Sequence, residues 1–576
     1  MRSSRALLFI IEHAALLALL LIVAAATGTL VMGPRAPLAL RSALGMAVAG
    51  QLFILLATFG ALRPWILATF AAIVIVAAVA PAARWLAHRR LAGDSDRRRA
   101  GGGTAGRRPA LRVVTVTALL TLPLFLLALY PPIAFDETLY HLPFVRAIAR
   151  SGAIRFLPDV RFSLFPQLHE VLCVPPFLLL GGTATHLVAL AQLLLLAGLL
   201  IQWPSQRFAG FLAAALVLGN PIVVQLSTVT YVDAALTLFI AAGFCCLERN
   251  RAAAGFLLGT ACSVKYLGWY FGVAALVYLL IFSPNRRRAI PLFLGSFLIA
   301  VLPMYGRIVA FTGNPFFPYL PKLFGTSPWT MSLPGAITPA AHIVNALRLF
   351  WDVTFARERV NLQPPYSPLF AVAMLITIIA ATRDRRAALI AALCVGYIAI
   401  FTFLPQDSRY LLPLLPLVSI AAAIAVVPLL RRRLVIALTV LSIAPGMAYA
   451  GYRLARQWPV PVTAGQQQQY LEKHVPEYRA LEHRGKGRIY VCAAEQLKYF
   501  GGDALLGDVV GPFGNETMIG GSRDSEDLAR NLDRFHIRYL LLSRAHCPPP
   551  WQRLPSAPRF ERVYVDDGAE LWRVRP

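Results

Sequence analysis

The run Phe135-Asp136-Glu137-Thr138-Leu139-Tyr140-His141-Leu142-Pro143 gathers two carboxylates, a phenol and an imidazole. It follows an apolar stretch, roughly residues 113–131, long enough to cross a bilayer as a helix. Charge at membrane depth is costly, so acidic residues just past a membrane exit point to function. Asp136 and Glu137 are neighbours, about 100° apart on a helix. They are therefore not the facing acid/base pair of a glycosidase. A single carboxylate suits a transferase, in which it accepts the proton of an attacking hydroxyl while a good leaving group departs unaided. Helical spacing turns Glu137 toward His141 and Asp136 toward Tyr140. His141 with Glu137 could steady the loop or share a divalent cation. The plainer role for Asp136 is an N-cap of the amphipathic helix expected over 137–151 and ended by Gly152.

Other chemistry-bearing residues lie far along the chain. Asp233 closes the polar turn Asn220-Pro221 to Asp233, where its alternatives are a helix cap and a site carboxylate. Lys265 ends an apolar segment and could snorkel to the interface or neutralise a phosphate. Arg409, in Asp407-Ser408-Arg409-Tyr410, could clamp a phosphate with its fork or pair with Asp407. His169 falls in a second interfacial segment, 164–181.

The elements that must position these residues are membrane helices. The chain has 576 residues, is 57% hydrophobic and 14% charged, which excludes an ordinary soluble domain. The net charge of +27 sits in short arginine clusters between apolar runs. That is the positive-inside pattern of a polytopic membrane protein, not a nucleic-acid surface. Candidate spans lie near 6–31, 37–61 and 65–87, and the first is too long for a signal-peptide core. A basic Gly/Arg linker, 88–112, reads as cytoplasmic and flexible. The number of helices before it, and hence the side of the N-terminus, stays open. Further spans lie near 184–202, 207–222, 232–248, 253–267, 268–283, 289–307, 367–382, 387–404, 411–430 and 434–452. With residues 113–131 crossing outward, Arg286 to Arg288, Arg383 to Arg386 and Arg431 to Arg433 all fall inside. Asp136, Glu137, His141, Asp233, Lys265 and Arg409 all fall outside. Carboxylates beside cations at an apolar boundary suit a lipid-linked anionic donor.

The fold class expected is mainly α: a polytopic transmembrane helical bundle with a small C-terminal extracytoplasmic α/β domain. Its divisions are 1–87, N-terminal helices; 88–112, linker; 113–452, catalytic module; and 453–576, the outer domain. In that domain 488–492 and 537–542 read as strands, 527–535 as a helix, and 562–574 as a hairpin turning at Asp567-Gly568. Gln466 to Gln469 mark its start. Its glycines form no dinucleotide fingerprint. Cys492 and Cys547, the two cysteines outside apolar segments, could form one disulfide. No cysteine spacing suggests a metal site. Trp329 and Trp351 could anchor the 312–366 loop at the interface.

Over roughly 113–420 the chain resembles the polytopic GT-C glycosyltransferases, which include protein O-mannosyltransferases, the lipid A aminoarabinose transferase and rhizobial lipopolysaccharide sugar transferases. The resemblance rests on Asp136-Glu137 with Tyr140, Phe165-Pro166, Asn220-Pro221 to Asp233, Gly259 to Lys265, Gly313 to Pro318, and Arg409-Tyr410 to Pro413. The Tyr140-His141-Leu142-Pro143 run and Tyr266 after Lys265 depart from relatives. The resemblance implies an inverting sugar transfer from a polyprenyl-phosphate donor to a lipid, glycan or protein hydroxyl at the outer face of a bacterial cytoplasmic membrane. Asp136 would be the catalytic carboxylate, with Glu137 and Asp233 beside it. Lys265, Arg409 and Tyr410 would meet the donor phosphate, with Tyr140, His141 and His169 in support. The rival expectations are a lipid-linked sugar flippase and a non-catalytic envelope polysaccharide assembly protein. A transporter would want paired half-repeats and mid-membrane charges, and no such repeat is visible.

Overall fold

A computed structural model describes residues 2–99, 119–331 and 338–575. Three long helices open the chain: α1 (Arg2–Met32), α2 (Leu38–Thr58) and α3 (Pro64–Arg99). Three helices long and apolar enough to cross a membrane therefore precede the linker. Helix α3 continues to Arg99, past the expected linker start at 88, and the linker from 100 to 112 lies outside the described residues. Helix α4 (119–127) leads to the Asp136 loop.

The bundle continues with α5 (Leu142–Ser151), α6 (Leu168–Leu180), α7 (His186–Gln202), α8 (Arg207–Leu218), α9 (Pro221–Leu226), α10 (Asp233–Cys246), α11 (Arg251–Val264), α12 (Gly268–Phe282) and α13 (Arg286–Thr312). A one-turn helix, α14 (Pro321–Phe324), and α15 (Pro339–Phe355) lie in the long loop, before α16 (Leu369–Ala380), α17 (Arg385–Phe401), α18 (Leu414–Val426) and α19 (Arg432–Gln457). Among the described residues six helices are long and apolar enough to cross a membrane, and the shorter apolar helices pack among them. The protein is multi-pass. Its outer helices expose apolar side chains such as Ile73, Val76, Ile299, Leu302, Val440 and Leu441, as lipid contact requires.

Both ends of the bundle are chemically distinct. At one end Arg386 pairs with Glu248 at 2.9 Å, Arg385 lies over the Phe282 ring at 4.2 Å, and Arg432 lies over Phe208 at 5.3 Å. These contacts draw the arginine-bearing starts of α17 and α19 to one face. Asp136, Asp233, Lys265 and Arg409 occupy the opposite ends of their elements.

Helix α19 runs to Gln457, past the expected boundary at 453. Gln466 to Gln469, expected to mark a boundary, lie within α20 (Ala464–His474), whose start is fixed by a reciprocal Thr463–Gln466 capping box. The C-terminal domain is a mixed five-stranded sheet in the order β2-β1-β3-β5-β4, formed by β1 (Arg488–Cys492), β2 (Leu505–Leu506), β3 (Ile537–Ser543), β4 (Phe560–Val565) and β5 (Ala569–Val574). The expected strands and hairpin are present, and the helix Ser525–Asp533 covers one face. Cys492 and Cys547 form a disulfide with Cα atoms 5.6 Å apart. This domain docks on the segment between α5 and α6. There Lys498 pairs with Asp159, Arg161 with Asp508 at 2.7 Å, and Trp329 Nε1 donates to Pro158 O at 3.0 Å. Trp329 is thus held in a protein junction, whereas Trp351 is exposed.

Candidate active site

The loop after α4 enters a single π-helical turn, Glu137–His141, which runs into α5. Helix α5 has one apolar face and ends at Gly152, whose φ of 70° is the left-handed conformation that glycine tolerates. The π-turn gives its side chains an irregular angular spacing. Tyr140 and His141 therefore face one cavity with Asp136, while Glu137 faces away.

Asp136 is not a helix cap, since its carboxylate makes no cap bond. Its Oδ2 accepts from Arg409 Nη1 at 2.8 Å, and its backbone N–H donates to Tyr231 Oη at 3.3 Å. Burial pushes this carboxyl up, but the Arg409 charge and its hydrogen bond outweigh that, with help from His141 and Lys265. Asp136 is held below the usual carboxylate range.

Arg409 is fixed on both sides. Its Nε and Nη2 reach Asp407 Oδ2 at 2.8 and 2.7 Å, and its guanidinium lies 5.0 Å from the Tyr231 ring centre. Asp407 also accepts from Asn361 Nδ2 at 2.9 Å and caps the Ser408–Leu411 turn through the Arg409 backbone N–H. The ion pair with Asp407 is realised, and Arg409 also lines the cavity. Three guanidinium N–H vectors point at carboxylates, and the fork's five donors leave others for a ligand.

Lys265 extends from the end of α11 to Asp233 Oδ1 at 3.0 Å, with its ammonium 4.5 Å from the Tyr410 ring centre. It points at the start of α10 and not along a snorkelling path. Asp233 is buried, and its Oδ2 has no hydrogen-bond partner among the described residues. An unmatched buried carboxylate oxygen is costly unless something completes it. Asp136, Tyr140, His141, Asp233, Lys265, Arg409 and Tyr410 all line one cavity of about 470 Å³. Phe165, Pro166 and Tyr319 form part of its apolar wall. Tyr319 is positioned by Asn314, whose Nδ2 donates to the Tyr319 carbonyl at 2.7 Å.

Two expected site residues lie elsewhere. Glu137 is fully buried and accepts from His186 Nε2 at 2.6 Å and from the Thr230 backbone N–H at 2.7 Å. Burial raises its pKa, but the His186 and Thr230 contacts outweigh that and hold it ionised below its ordinary value. It ties the loop to α7 and does not face the cavity of Asp136. His169 is packed against Gln192 at 3.3 Å and Cys173 at 3.5 Å, away from the cavity. The His141–Glu137 pairing expected from helical spacing is also replaced. His141 Nδ1 pairs with Glu170 at 2.6 Å. Among the described residues no group of three His, Cys, Asp or Glu side chains is arranged to hold a metal ion.

Glu170 and Arg161, which also line the cavity, were not singled out from sequence. Glu170 is the residue beside His169, and one helical step decides which of the two faces in. Arg161 lies in an irregular loop, and its partner Asp508 is in the C-terminal domain, so no local signal marks it.

Two crystal structures share this architecture. ArnT from Cupriavidus metallidurans in the apo state superposes with a TM-score of 0.53 at 15% identity, over 81% of this chain and 98% of that one. The same protein bound to undecaprenyl phosphate gives 0.51 at 14%, with the same coverage. The transmembrane fold is of the GT-C type. The archaeal oligosaccharyltransferase AglB from Archaeoglobus fulgidus, in complex with an inhibitory peptide and a dolichol-phosphate, aligns at 11% identity over 75% of this chain and 69% of its own, with a TM-score of 0.42. A family model described as SF2091/S2213 matches residues 466–573, the C-terminal domain. A search of curated proteins finds no match. Within the GT-C fold, the cavity lies where the loops after α4, α9, α11 and α17 converge.

Proposed function

We propose that this chain is an integral-membrane glycosyltransferase that moves a sugar from a polyprenyl-phosphate donor to an acceptor hydroxyl, with inversion. The observation that carries the reading is the convergence of Asp136, Asp233, Lys265 and Arg409, from four separate loops, on one cavity. The donor phosphate fits the free face of Arg409 and Lys265, which are 10% and 23% exposed and so open enough to be reached. The acceptor oxygen attacks the anomeric carbon as the carbon–oxygen bond to phosphate breaks. Its proton passes to Asp136, and the carrier leaves as polyprenyl phosphate. A single displacement of this kind inverts the anomeric centre. Phosphate is a good leaving group, so a carboxylate of low basicity is sufficient. Arg409 and Lys265 neutralise the charge that develops on the departing group. Asp233 orients Lys265, and its buried, unpaired Oδ2 would be completed by a sugar hydroxyl once its surroundings admit the donor. The neighbour's capture of undecaprenyl phosphate on the same fold supports a carrier of that class.

The reading places the cavity and the C-terminal domain outside the bacterial cytoplasmic membrane. The arginine-bearing ends are then inside, and the Cys492–Cys547 disulfide lies in an oxidising compartment. With three spans before the linker, the N-terminus lies outside. Reconstituted protein supplied with a radiolabelled polyprenyl-phosphate sugar tests the reaction. Transfer to an envelope acceptor is the expected result, and lipid-linked sugar that only changes leaflet would favour a flippase instead.

A further inference from the structure

Asp136 and Glu137 are adjacent, yet they face different cavities. The second is about 540 Å³, on the far side of the π-turn, between the ends of α4 and α19 and the first helix of the C-terminal domain, α20. Its charged lining is Arg453 and Arg456 from α19, Lys473 from α20, and Glu137. Glu137 is already saturated by His186, Thr230 and the Ala134 backbone N–H. Among the described residues none of the three cations has a carboxylate partner. Arg453 donates one N–H to Thr228 Oγ1 at 3.1 Å, and Arg456 donates to Tyr452 Oη at 3.0 Å. Three cations gathered in a concavity with one carboxylate, itself engaged by His186, leave an excess of positive charge, so their placement suits an anionic guest.

A second observation points the same way. Tyr130 is 3% exposed, its ring packs 5.3 Å from that of Tyr470, and it lines this cavity. Its hydroxyl has no hydrogen-bond partner among the described residues. A buried hydroxyl without a partner is an expense that phenylalanine would avoid. It is accounted for if the O–H donates to something that enters the cavity.

We propose that this second cavity binds a phosphate-bearing group, held by Arg453, Arg456 and Lys473 and by a hydrogen bond from Tyr130. The site stands whether or not sugar is transferred in the first cavity. Its mouth lies at the junction of a membrane span and the C-terminal domain. A lipid phosphate headgroup and a free phosphate ester present the same chemistry there.

The test uses the full-length protein in phosphatidylcholine nanodiscs. Inorganic pyrophosphate binding is measured by calorimetry, and phosphatidylglycerol retention by native mass spectrometry. Arg456→Gln combined with Lys473→Gln should weaken the bound probe by about tenfold or more, as loss of charge-assisted contacts predicts. Tyr130→Phe removes a hydroxyl that stabilises nothing in the empty protein. It should leave the melting midpoint unchanged or raised and weaken binding about fivefold, near 1 kcal/mol. That pairing separates ligand contact from folding. Pyrophosphate binding alone assigns the site to a soluble phosphate ester, and phosphatidylglycerol retention alone to a lipid headgroup. If the wild type takes neither probe, or if the variants bind as the wild type does, the proposal is overturned.

Discussion

The carboxylate of Asp136 is shared between two tasks, because the Arg409 that would meet a donor phosphate also holds Asp136 in place. Asp136→Asn keeps an oxygen that can accept from Arg409 and removes the base. Transfer should fall by about 10²–10⁴, the span of general-base contributions, while membrane insertion and melting stay near wild type. Undiminished transfer by the Asn variant would remove Asp136 from the mechanism. The same ion pair fixes a pH dependence. Because Arg409 outweighs burial and depresses the carboxyl, Asp136 remains ionised as pH falls through the ordinary carboxylate range. Rate profiles should therefore show no loss attributable to this group until below about pH 4. Arg409→Lys removes the fork that spans Asp136 and Asp407. It should lower donor affinity and kcat together, since a single ammonium cannot hold both carboxylates and a phosphate. Asp136, Lys265 and Arg409 were legible from residue type beside span ends. The orientation of Glu137 is not legible, because regular helical spacing points it at His141 whereas the chain makes a π-turn, which carries no sequence period.

At the scale of elements, apolar runs bounded by arginine clusters made the membrane helices readable. The packing between them was not, because lipid-facing and protein-facing helices are equally apolar. The approach of α11 to α13 shows what was hidden. A Cβ at Gly255 would lie 2.1 Å from Phe293 O, and one at Gly259 would lie 2.5 Å from Phe297 O. Glycines four apart thus let the two backbones touch, as small residues do at membrane helix crossings. Helix α11 ends at Val264, directly before Lys265, so its seat on α13 sets where that ammonium reaches. Gly259→Val should push α11 outward and cut transfer at least tenfold, with the protein still inserted. The companion Gly295→Ala, where a Cβ meets nothing within 4 Å, should leave the rate unchanged. Equal rates in both variants would show that the crossing does not position Lys265.

The molecule as a whole joins a membrane bundle to a domain of a different composition, and that junction lies beside the chemistry. Arg161 lines the first cavity and is tied to Asp508 of the C-terminal domain. Close by, the nearly buried Lys498 meets Asp159 and the Leu505 carbonyl. The composition change near residue 453 made the domain visible in the sequence. Its docking was not visible, because both partners of each ion pair look like ordinary surface charges until the fold brings them together. Lys498 is buried and Asp159 only partly so, and an acidic side chain at 498 would set two carboxylates against each other at the junction. Lys498→Asp alone should therefore loosen the domain and make the segment 458–463 sensitive to added protease. It should also slow transfer by freeing the wall that carries Arg161. Lys498→Asp combined with Asp159→Lys restores opposite charges at the junction and should recover most of the protease resistance and rate. If the single variant is protease-resistant and fully active, the domain is held by its other contacts and the cavity does not depend on its docking through Lys498.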